Sequence, residues 1–364
     1  MATLYQLRIY NRAGVLRSVL TDFVHLSYVK EVNAAGLLEF QLRADHPAIL
    51  ELELDGQVEV WRANPALGLD WHTDFIGLFR YEQRSADSDG RTSYVARCPG
   101  VLSLLGRAIV AYPSETANRS EFTADPAETI VKTLVERNAT SAGTTADGRV
   151  RSVDLTQVVV EADGARGNAI DFACARQDLL ASCQKVADIG GGDFDLVRTA
   201  VPDEFQFKWF PGQLGIDRSA TVVFSLAYGN MANPVLTRDW MKEATVAIVG
   251  GQGTRSDRSV EVRTGSTYIA GYRSVEAFYD ARRYTTTAGL QDTGDQELYA
   301  AQTRDELAFD VLQIPQTLYG LHYGLGDLVT GVYQGVSATK KVRKVSVALL
   351  PDGSETINVE MTNV

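Results

Sequence analysis

The sequence predicts a mainly β fold with α+β insertions, in which two related β-barrels are each interrupted by an inserted domain. Three observations indicate this. Short runs of alternating apolar residues fill roughly the first hundred positions, and Gly, Asn or Pro separates them. Helix-periodic stretches interrupt the β pattern in both halves. A glycine-led strand followed by a long hairpin with an Asp-Gly turn occurs twice, beginning at Gly56 and at Gly326.

Residues 1–108 are predicted to form most of the first barrel, which residues 201–243 complete. Each break between the first runs supplies the Asn or Gly that a tight turn requires. A helical turn near His46 is expected to plug one end of the barrel. The predicted strands cover residues 4–10, 15–20, 24–32, 37–43 and 57–61, followed by a hairpin over residues 75–97.

Residues 109–200 are predicted to form an inserted α+β domain. A capping residue, a first-turn proline and an early acid precede a helix over residues 130–137. A second helix over residues 171–187 has one apolar face and ends at a triple glycine. The chain then returns to β structure, with predicted strands at residues 193–198, 204–210 and 221–225.

Residues 244–273 and 326–364 are predicted to form the second barrel, which a mostly helical inserted domain at residues 274–325 interrupts. The spacing of apolar residues in this insertion is roughly helical. The predicted helices cover residues 275–283 and 296–310. The repeated hairpin covers residues 342–350 and 355–361.

Length and charge restrict the class of protein. The 364 residues exceed what one core accommodates, so two to four domains are expected. The net charge of −11 disfavours a protein that holds nucleic-acid phosphates, because such proteins need a basic patch and only short basic runs such as 340–344 occur. The start does not read as a signal peptide, and no apolar run approaches the ~20 residues of a membrane span. We expect no membrane insertion.

Residues with catalytic or ligand-binding chemistry form no recognisable set. The glycines at 250–253 follow a strand, but neither a helix nor a Gly-Lys-Ser/Thr sequence follows them, so a hairpin tip is favoured over a phosphate loop. The histidines have no metal-ligand spacing, and the cysteines form no disulfide framework or CxxC pair. These residues are His25, His46, His72, His322, Cys98, Cys174 and Cys183.

Two acidic pairs, Asp193 with Asp195 and Asp305 with Glu306, have the residue types of glycosidase carboxylates. Acids are abundant in this chain, so a solvated surface is favoured for both pairs. No Gly-x-Ser-x-Gly elbow occurs. The sequence therefore predicts a protein that is not an enzyme, with no catalytic, cofactor-binding or metal-binding residues and no cofactor.

Aromatic residues concentrate around the loop at residues 63–72. Trp61, Trp71, Phe79 and Tyr81 have the chemistry of a carbohydrate or partner platform, although aromatics in hairpins more often form cross-strand pairs or core. The loop itself is too apolar for a free loop. We therefore expect a contact surface there.

In order along the chain, several short motifs resemble those of siphophage tail hub proteins, also called baseplate hub or tail-associated proteins. The resemblance covers essentially the whole chain, and the order of the motifs is more specific than any one of them. The motifs are Asn33-Ala-Ala-Gly-Leu-Leu38, Phe75-Ile-Gly77, the stretch from Cys98-Pro-Gly100 to Gly106, Phe122-Thr-Ala-Asp-Pro126 and Gly324-Leu-Gly-Asp-Leu-Val329.

The resemblance implies a homotrimer that closes the tail tube at the tip of the virion. Each subunit would contribute two tail-tube-type β-barrels, so that the ring adapts a six-fold tube to a three-fold tip. Implied partners are the distal tail protein hexamer, the tape measure protein and a tail fibre or receptor-binding protein. DNA would cross the channel only transiently, and the protein would be made in the host cytoplasm.

Two alternatives remain open. A glycan-binding or glycan-cleaving tail protein would need a cleft with converging acids and aromatics, which we would expect within residues 109–200. The hub of a contractile injection device would have a similar pattern. For a tail hub, the channel wall should be neutral or acidic so that DNA does not adhere. The basic run 340–344 should then point away from the bore or pair with acids of a neighbouring subunit.

Overall fold

The computed structural model describes residues 3–86, 88, 92–111, 120–140, 155–282, 286–301, 305–349 and 353–364. The chain divides into two compact units. Unit 1 comprises Met1–Ala232 and Asp310–Val364, and unit 2 comprises Asn233–Phe309. Strands dominate and helices occur in the insertions, so the predicted mainly β class is confirmed. Most of the residues of the two Asp-Gly turns lie outside the described residues.

The first hundred residues form eight strands, and the bounds of these strands are close to the predicted ones. They agree because apolar and polar residues alternate in the sequence and buried and exposed side chains alternate in the strands. One difference is that the hairpin expected at residues 75–97 is divided. The chain bends at Phe79, whose backbone N–H donates to Gly56, so the preceding residues belong to β6 and the following ones begin β7. The strands are β1 (Leu4–Tyr10), β2 (Leu16–Leu20), β3 (His25–Glu31), β4 (Ala34–Arg43), β5 (Gln57–Asn64), β6 (Leu69–Leu78), β7 (Tyr81–Ala86) and β8 (Thr92–Pro99).

The inserted α+β domain packs its helices on an apolar core that also includes Leu78 and Leu102 of the preceding segment. The second helix begins later than expected, because Asp178 caps it by accepting a hydrogen bond from Ala181, while the preceding segment is a strand. The elements are β9 (Ser120–Pro126), α1 (Ala127–Ala139), β10 (Val158–Val160), β11 (Ala169–Cys174), α2 (Leu179–Gly190), β12 (Gly192–Arg198) and β13 (Phe205–Pro211). Strands β12 and β13 form the predicted antiparallel hairpin.

Unit 2 contains a three-stranded sheet with a helix on one face and most of a two-stranded sheet, and of its two predicted helices one is wrong and the other is displaced. Residues expected to form a helix at 275–283 instead form β18, which pairs in parallel with β16 and obtains its backbone partners there. The other predicted helix ends at Ala300, and a strand follows. The elements from 223 onward are β14 (Val223–Ser225), β15 (Met231–Arg238), β16 (Val246–Gly250), β17 (Val260–Thr264), β18 (Glu276–Asp280), α3 (Thr287–Ala300) and β19 (Asp305–Val311).

The last strands are β20 (Leu328–Tyr333), β21 (Val336–Leu349) and β22 (Glu355–Asn363), and they join the strands of the first hundred residues in one large sheet. Along its path the order is β14-β20-β21-β3-β4-β8-β7, and β22 pairs with β21. Strand β21 is long enough to contact β20 with its first half and β3 with its second. The remaining strands of the first segment form a separate sheet in the order β2-β1-β5-β6.

This pairing corrects the predicted assignment of segments to barrels. Strand β14, within residues 201–243, pairs with β20 of the segment 326–364. Strands β16 and β17, within residues 244–273, pair in unit 2 and not with that segment. The physical reason is that hairpins resemble one another locally, whereas their partners are selected by long-range edge contacts. Closure of the sheets into two related barrels stays a prediction.

Candidate functional site

A buried polar junction joins four distant segments of unit 1. The carboxylate of Asp193 on β12 accepts hydrogen bonds from the side chain of Asn33 (3.2 Å) and from the backbone N–H of Leu214 (2.6 Å). It also pairs with the ammonium of Lys341 on β21 at 2.6 Å. Asn33 has a φ of 60° and accepts from the backbone of Phe194. The Asn33 motif therefore attaches the β3–β4 turn to the inserted domain.

The Gly-Asp motif near the end of the chain forms a second junction. Asp327 is 5 % exposed, and its carboxylate accepts hydrogen bonds from the backbone N–H groups of Ile216 (2.6 Å) and Gly324 (2.8 Å). The guanidinium of Arg218 donates to the same carboxylate at 2.9 Å. Asp327 thus holds the start of β20 against the segment that leads to β14.

Glycines in two further motifs allow close backbone approach. A Cβ atom at Gly100 would lie 1.8 Å from the carbonyl oxygen of Ala35, and one at Gly77 would lie 2.7 Å from Cys98. Gly77 and Gly100 also form an isolated β-bridge. Side chains at either position would separate β6 from β8 and the β3–β4 turn, so these motifs have a structural function.

An ionic network crosses the interior of unit 1. The carboxylate of Asp74 accepts hydrogen bonds from Tyr28 (2.5 Å), Lys30 (2.8 Å) and Tyr319 (2.9 Å). Burial alone would raise the pKa of Asp74, but the Lys30 ammonium and these hydrogen bonds lower it to about 2. The group therefore stays ionised, and the network ties β3 and β6 to the loop before β20.

A buried ion pair connects β5 with the last strand of the chain, β22. Arg62 on β5 is 3 % exposed and donates to Glu355 on β22 at 2.8 and 3.1 Å. It also donates to the hydroxyl of Tyr5 and to the carbonyl of Tyr319. Neither this ion pair nor the Asp74 network was predicted from the sequence. One feature of the sequence could have indicated the Asp74 network. Lys30 continues the two-residue spacing of Leu26 and Tyr28, which face the interior, so a charged residue occupies a position that faces the interior.

A cavity of about 270 Å³ borders the Asp74 network and is also lined by Asp195. Asp193 and Asp195 are two positions apart on β12 and so project to the same face, where Asp193 accepts hydrogen bonds from Asn33 and Leu214 and pairs with Lys341. Burial raises the pKa of Asp195 to about 6, against opposing effects of its bond from the Leu196 N–H and of Lys30. Of the other acidic pair, Glu306 is exposed, and the Asp305 side chain lies outside the described residues.

Replacement of Asp195 by asparagine is expected to stabilise the protein at pH 8 by about 2–3 kcal/mol, following ~1.4 kcal/mol per pKa unit. The folded-state pKa lies above the unfolded value, so the folded protein binds more protons and loses stability as the pH rises through about 4 to 6. The asparagine variant avoids this loss. Urea unfolding at pH 8 and at pH 4 measures the difference, which should vanish at pH 4. Asp188→Asn on the exposed side of α2 is the control, and an equal gain in both variants would refute the argument.

The remaining candidate residues have structural surroundings. His46 accepts from the backbone of Ala48, and His322 accepts from Leu318. Among the described residues no group of three or more His, Cys, Asp or Glu side chains could hold a metal ion, and no helix is long and apolar enough to cross a membrane. The Gly250–Gly253 segment leads to a short 3-10 turn and to β17 instead of a helix. The three cysteines are buried and free.

The aromatic residues flagged in the sequence divide between two environments. The guanidinium of Arg8 lies 3.6 Å from the Trp61 ring centroid, and that of Arg97 lies 4.9 Å from the Tyr81 ring. Trp71 is 38 % exposed and lines an open groove with Leu4 and Val24. Arginine contacts therefore occupy two of the rings, and Trp71 lines a groove that contains both apolar and polar residues.

On one face of the large sheet, two cations pair with carboxylates of the neighbouring strands. Arg97 donates to Glu39 at 2.6 Å, and Lys344 donates to Glu360 at 2.8 Å. Of the basic run 340–344, Lys341 pairs with Asp193 and Lys340 is buried beside Asn363. Lys341 and Lys344 thus pair with acids of the same chain. The direction of the basic run relative to a bore stays a prediction.

The motif residues of this mainly β protein serve backbone contacts and internal ion pairs, and the solved structures with a similar fold include phage tail proteins. The chain matches the 43 kDa tail protein of prophage MuSo2 from Shewanella oneidensis at 11 % identity and a TM-score of 0.59, over 99 % of this chain and 97 % of that one. It matches the tail protein of Neisseria meningitidis MC58 at 12 % identity and a TM-score of 0.57, over 98 % and 96 %.

The chain belongs to the family described as Siphovirus ReqiPepy6 Gp37-like protein, whose profile matches residues 6–361. Prophage tail protein gp18 from Listeria monocytogenes EGD-e is also similar, at 11 % identity and a TM-score of 0.55, over 98 % of this chain and 94 % of that one. No curated protein sequence matches this chain. The resemblance to phage tail proteins is thus confirmed in family and in fold.

Proposed function

We propose that this protein is the trimeric hub of a phage tail tip, which closes the tail tube, adapts its six-fold symmetry to a three-fold tip and forms the channel for DNA. The observation that carries the proposal is the large sheet, whose edge strands are β14, β7 and β22, and of which β7 and β22 are the longer two. Among the described residues, β7 pairs with β8 alone and β22 with β21 alone. Each edge strand leaves a row of unpaired backbone groups, which is a template for pairing.

Two different edges on one chain favour a closed ring. When one edge of a copy pairs with the other edge of the next copy, the contact is heterologous and repeats until the rotation closes. All six side chains of β7 are exposed, so no part of the described chain covers that edge. Three copies would give a ring with six-fold pseudosymmetry if each chain contributes two related barrels.

The polar face of the large sheet is the proposed channel wall. Two of its cations are already paired with carboxylates, Arg97 with Glu39 and Lys344 with Glu360, which weakens their attraction for phosphates. Each phosphate contact would add affinity and slow the passage of a long polyanion. This wall would let DNA slide past. Proposed partners are the distal tail protein hexamer, the tape measure protein and a tail fibre or receptor-binding protein, and the role requires neither catalysis nor a cofactor.

The assembly test is a mass measurement of the purified protein and a reconstruction of the particle that contains it. We expect three copies in a ring, β7 of each copy next to β22 of its neighbour, and the face with Glu39 and Glu360 towards the bore. A six-copy ring, a monomer without ring contacts, or a bore lined by another face would contradict the proposal.

A further inference from the structure

A polar pocket in unit 2 has the chemistry of a carbohydrate site. Its volume is about 220 Å³, below the ~300 Å³ at which pockets for drug-sized ligands begin, so it suits one small ring. The loop after β17 contributes Thr264, Ser266 and Thr267. Helix α3 contributes Asp295 and Tyr299, which lie on one helix face because they are four positions apart.

The polar groups of this pocket suit a ligand rich in hydroxyl groups. Arg263 donates two hydrogen bonds to Asp295, at 2.8 and 2.9 Å, and these bonds lower the pKa of the carboxyl. The carboxylate is therefore an acceptor. Within the described part of the chain, the hydroxyls of Thr264 and Ser266 have no protein hydrogen-bond partner. A protein hydroxyl can donate or accept a hydrogen bond. It can therefore pair with sugar hydroxyls, which also do both.

An aromatic ring stands at the rim of the same pocket. Tyr299 is 65 % exposed, while its neighbour Leu298 is 5 % exposed and forms the floor. The electron-rich face of a tyrosine ring attracts the weakly positive C–H groups on one side of a pyranose.

We propose that this pocket binds one pyranose ring of a neutral glycan, with the ring stacked on Tyr299 and its hydroxyls bonded to Asp295 and Ser266. A neutral sugar is favoured because the charged side chains here are already paired, Arg263 with Asp295 and Arg273 with Glu243. The cleft expected within residues 109–200 fits less well. A depression there is lined by one acid, Glu136, and by no aromatic ring among its described lining residues.

The test is saturation-transfer NMR on the full-length protein with the methyl glycosides of glucose, galactose, mannose and N-acetylglucosamine. We expect transfer to the ring protons of at least one sugar, and a two- to tenfold loss of affinity in Tyr299→Ala. Tyr299→Phe should retain binding because the ring remains. Ser266→Ala should weaken binding about two- to fivefold without loss of stability.

Tyr228→Ala is the matched control, since Tyr228 is also 65 % exposed but lies in unit 1. It should leave sugar binding unchanged. Absence of transfer to all four glycosides would overturn the proposal, as would an equal loss of binding in Tyr228→Ala and Tyr299→Ala. The result does not depend on the oligomeric state, so the ring and the sugar site are tested separately.

Discussion

Replacing Asp327 by alanine is expected to lower the free energy of unfolding by about 3–5 kcal/mol, the range for breaking a buried ion pair. The substitution leaves the N–H groups of Ile216 and Gly324 and the guanidinium of Arg218 without their acceptor. An unsatisfied buried donor costs about 1–3 kcal/mol, so several such losses add to a large effect. Urea unfolding followed by tryptophan fluorescence measures it.

The matched control is Asp217→Ala, because Asp217 lies next to the same segment but is exposed and bonds only locally to Ser219. We expect its unfolding midpoint to stay close to that of the parent protein. Equal midpoints for the Asp327 and Asp217 variants would show that the Gly-Asp junction does not hold β20 in place.

Replacing Arg62 by methionine is expected to destabilise the protein by about 3–5 kcal/mol, because Glu355 then keeps a charge in the interior without its partner. The hydroxyl of Tyr5 and the carbonyl of Tyr319 lose the same donor. Thermal unfolding measures the loss, with Arg43→Met as the control, since the Arg43–Asp45 pair is exposed.

The double variant Arg62→Met with Glu355→Met distinguishes charge burial from lost packing. Apolar residues that replace both members of a buried pair are often neutral or stabilising, so the double variant should recover much of the stability. A double variant that is as unstable as the sum of the two single variants would contradict a buried, coupled pair.

The local strand pattern was predictable because a half-buried strand has a period of two that neighbouring residues specify. Strands β1 and β4 and the β12–β13 hairpin followed directly from it. The segment 275–283 was misassigned because a short apolar run fits a helix or a strand equally, and its pairing with β16 decides the outcome. Pairing partners such as β14 with β20 depend on contacts that single-sequence patterns do not encode.

The junction residues were partly visible in the sequence. Asn33 and Asp327 belonged to motifs recognised by resemblance, but their partners Asp193 and Arg218 lie far along the chain and only the fold brings them together. The pocket of unit 2 was not predicted, because the helix that lines it was predicted at residues 296–310 and is observed at Thr287–Ala300. The sequence therefore gave no reason to place Tyr299 and Ser266 in one pocket.

The pairing of β21 with β3 has a consequence for biosynthesis. The two strands are separated by roughly 300 residues, which take about 15–60 s to translate at 5–20 residues per second. During that interval the edge of β3 that later pairs with β21 has unpaired backbone groups. Such an edge is prone to associate with other nascent chains. Completion of the large sheet must therefore wait until β21 has been synthesised. We expect the yield of native protein to depend on temperature and on chaperones that shield this edge.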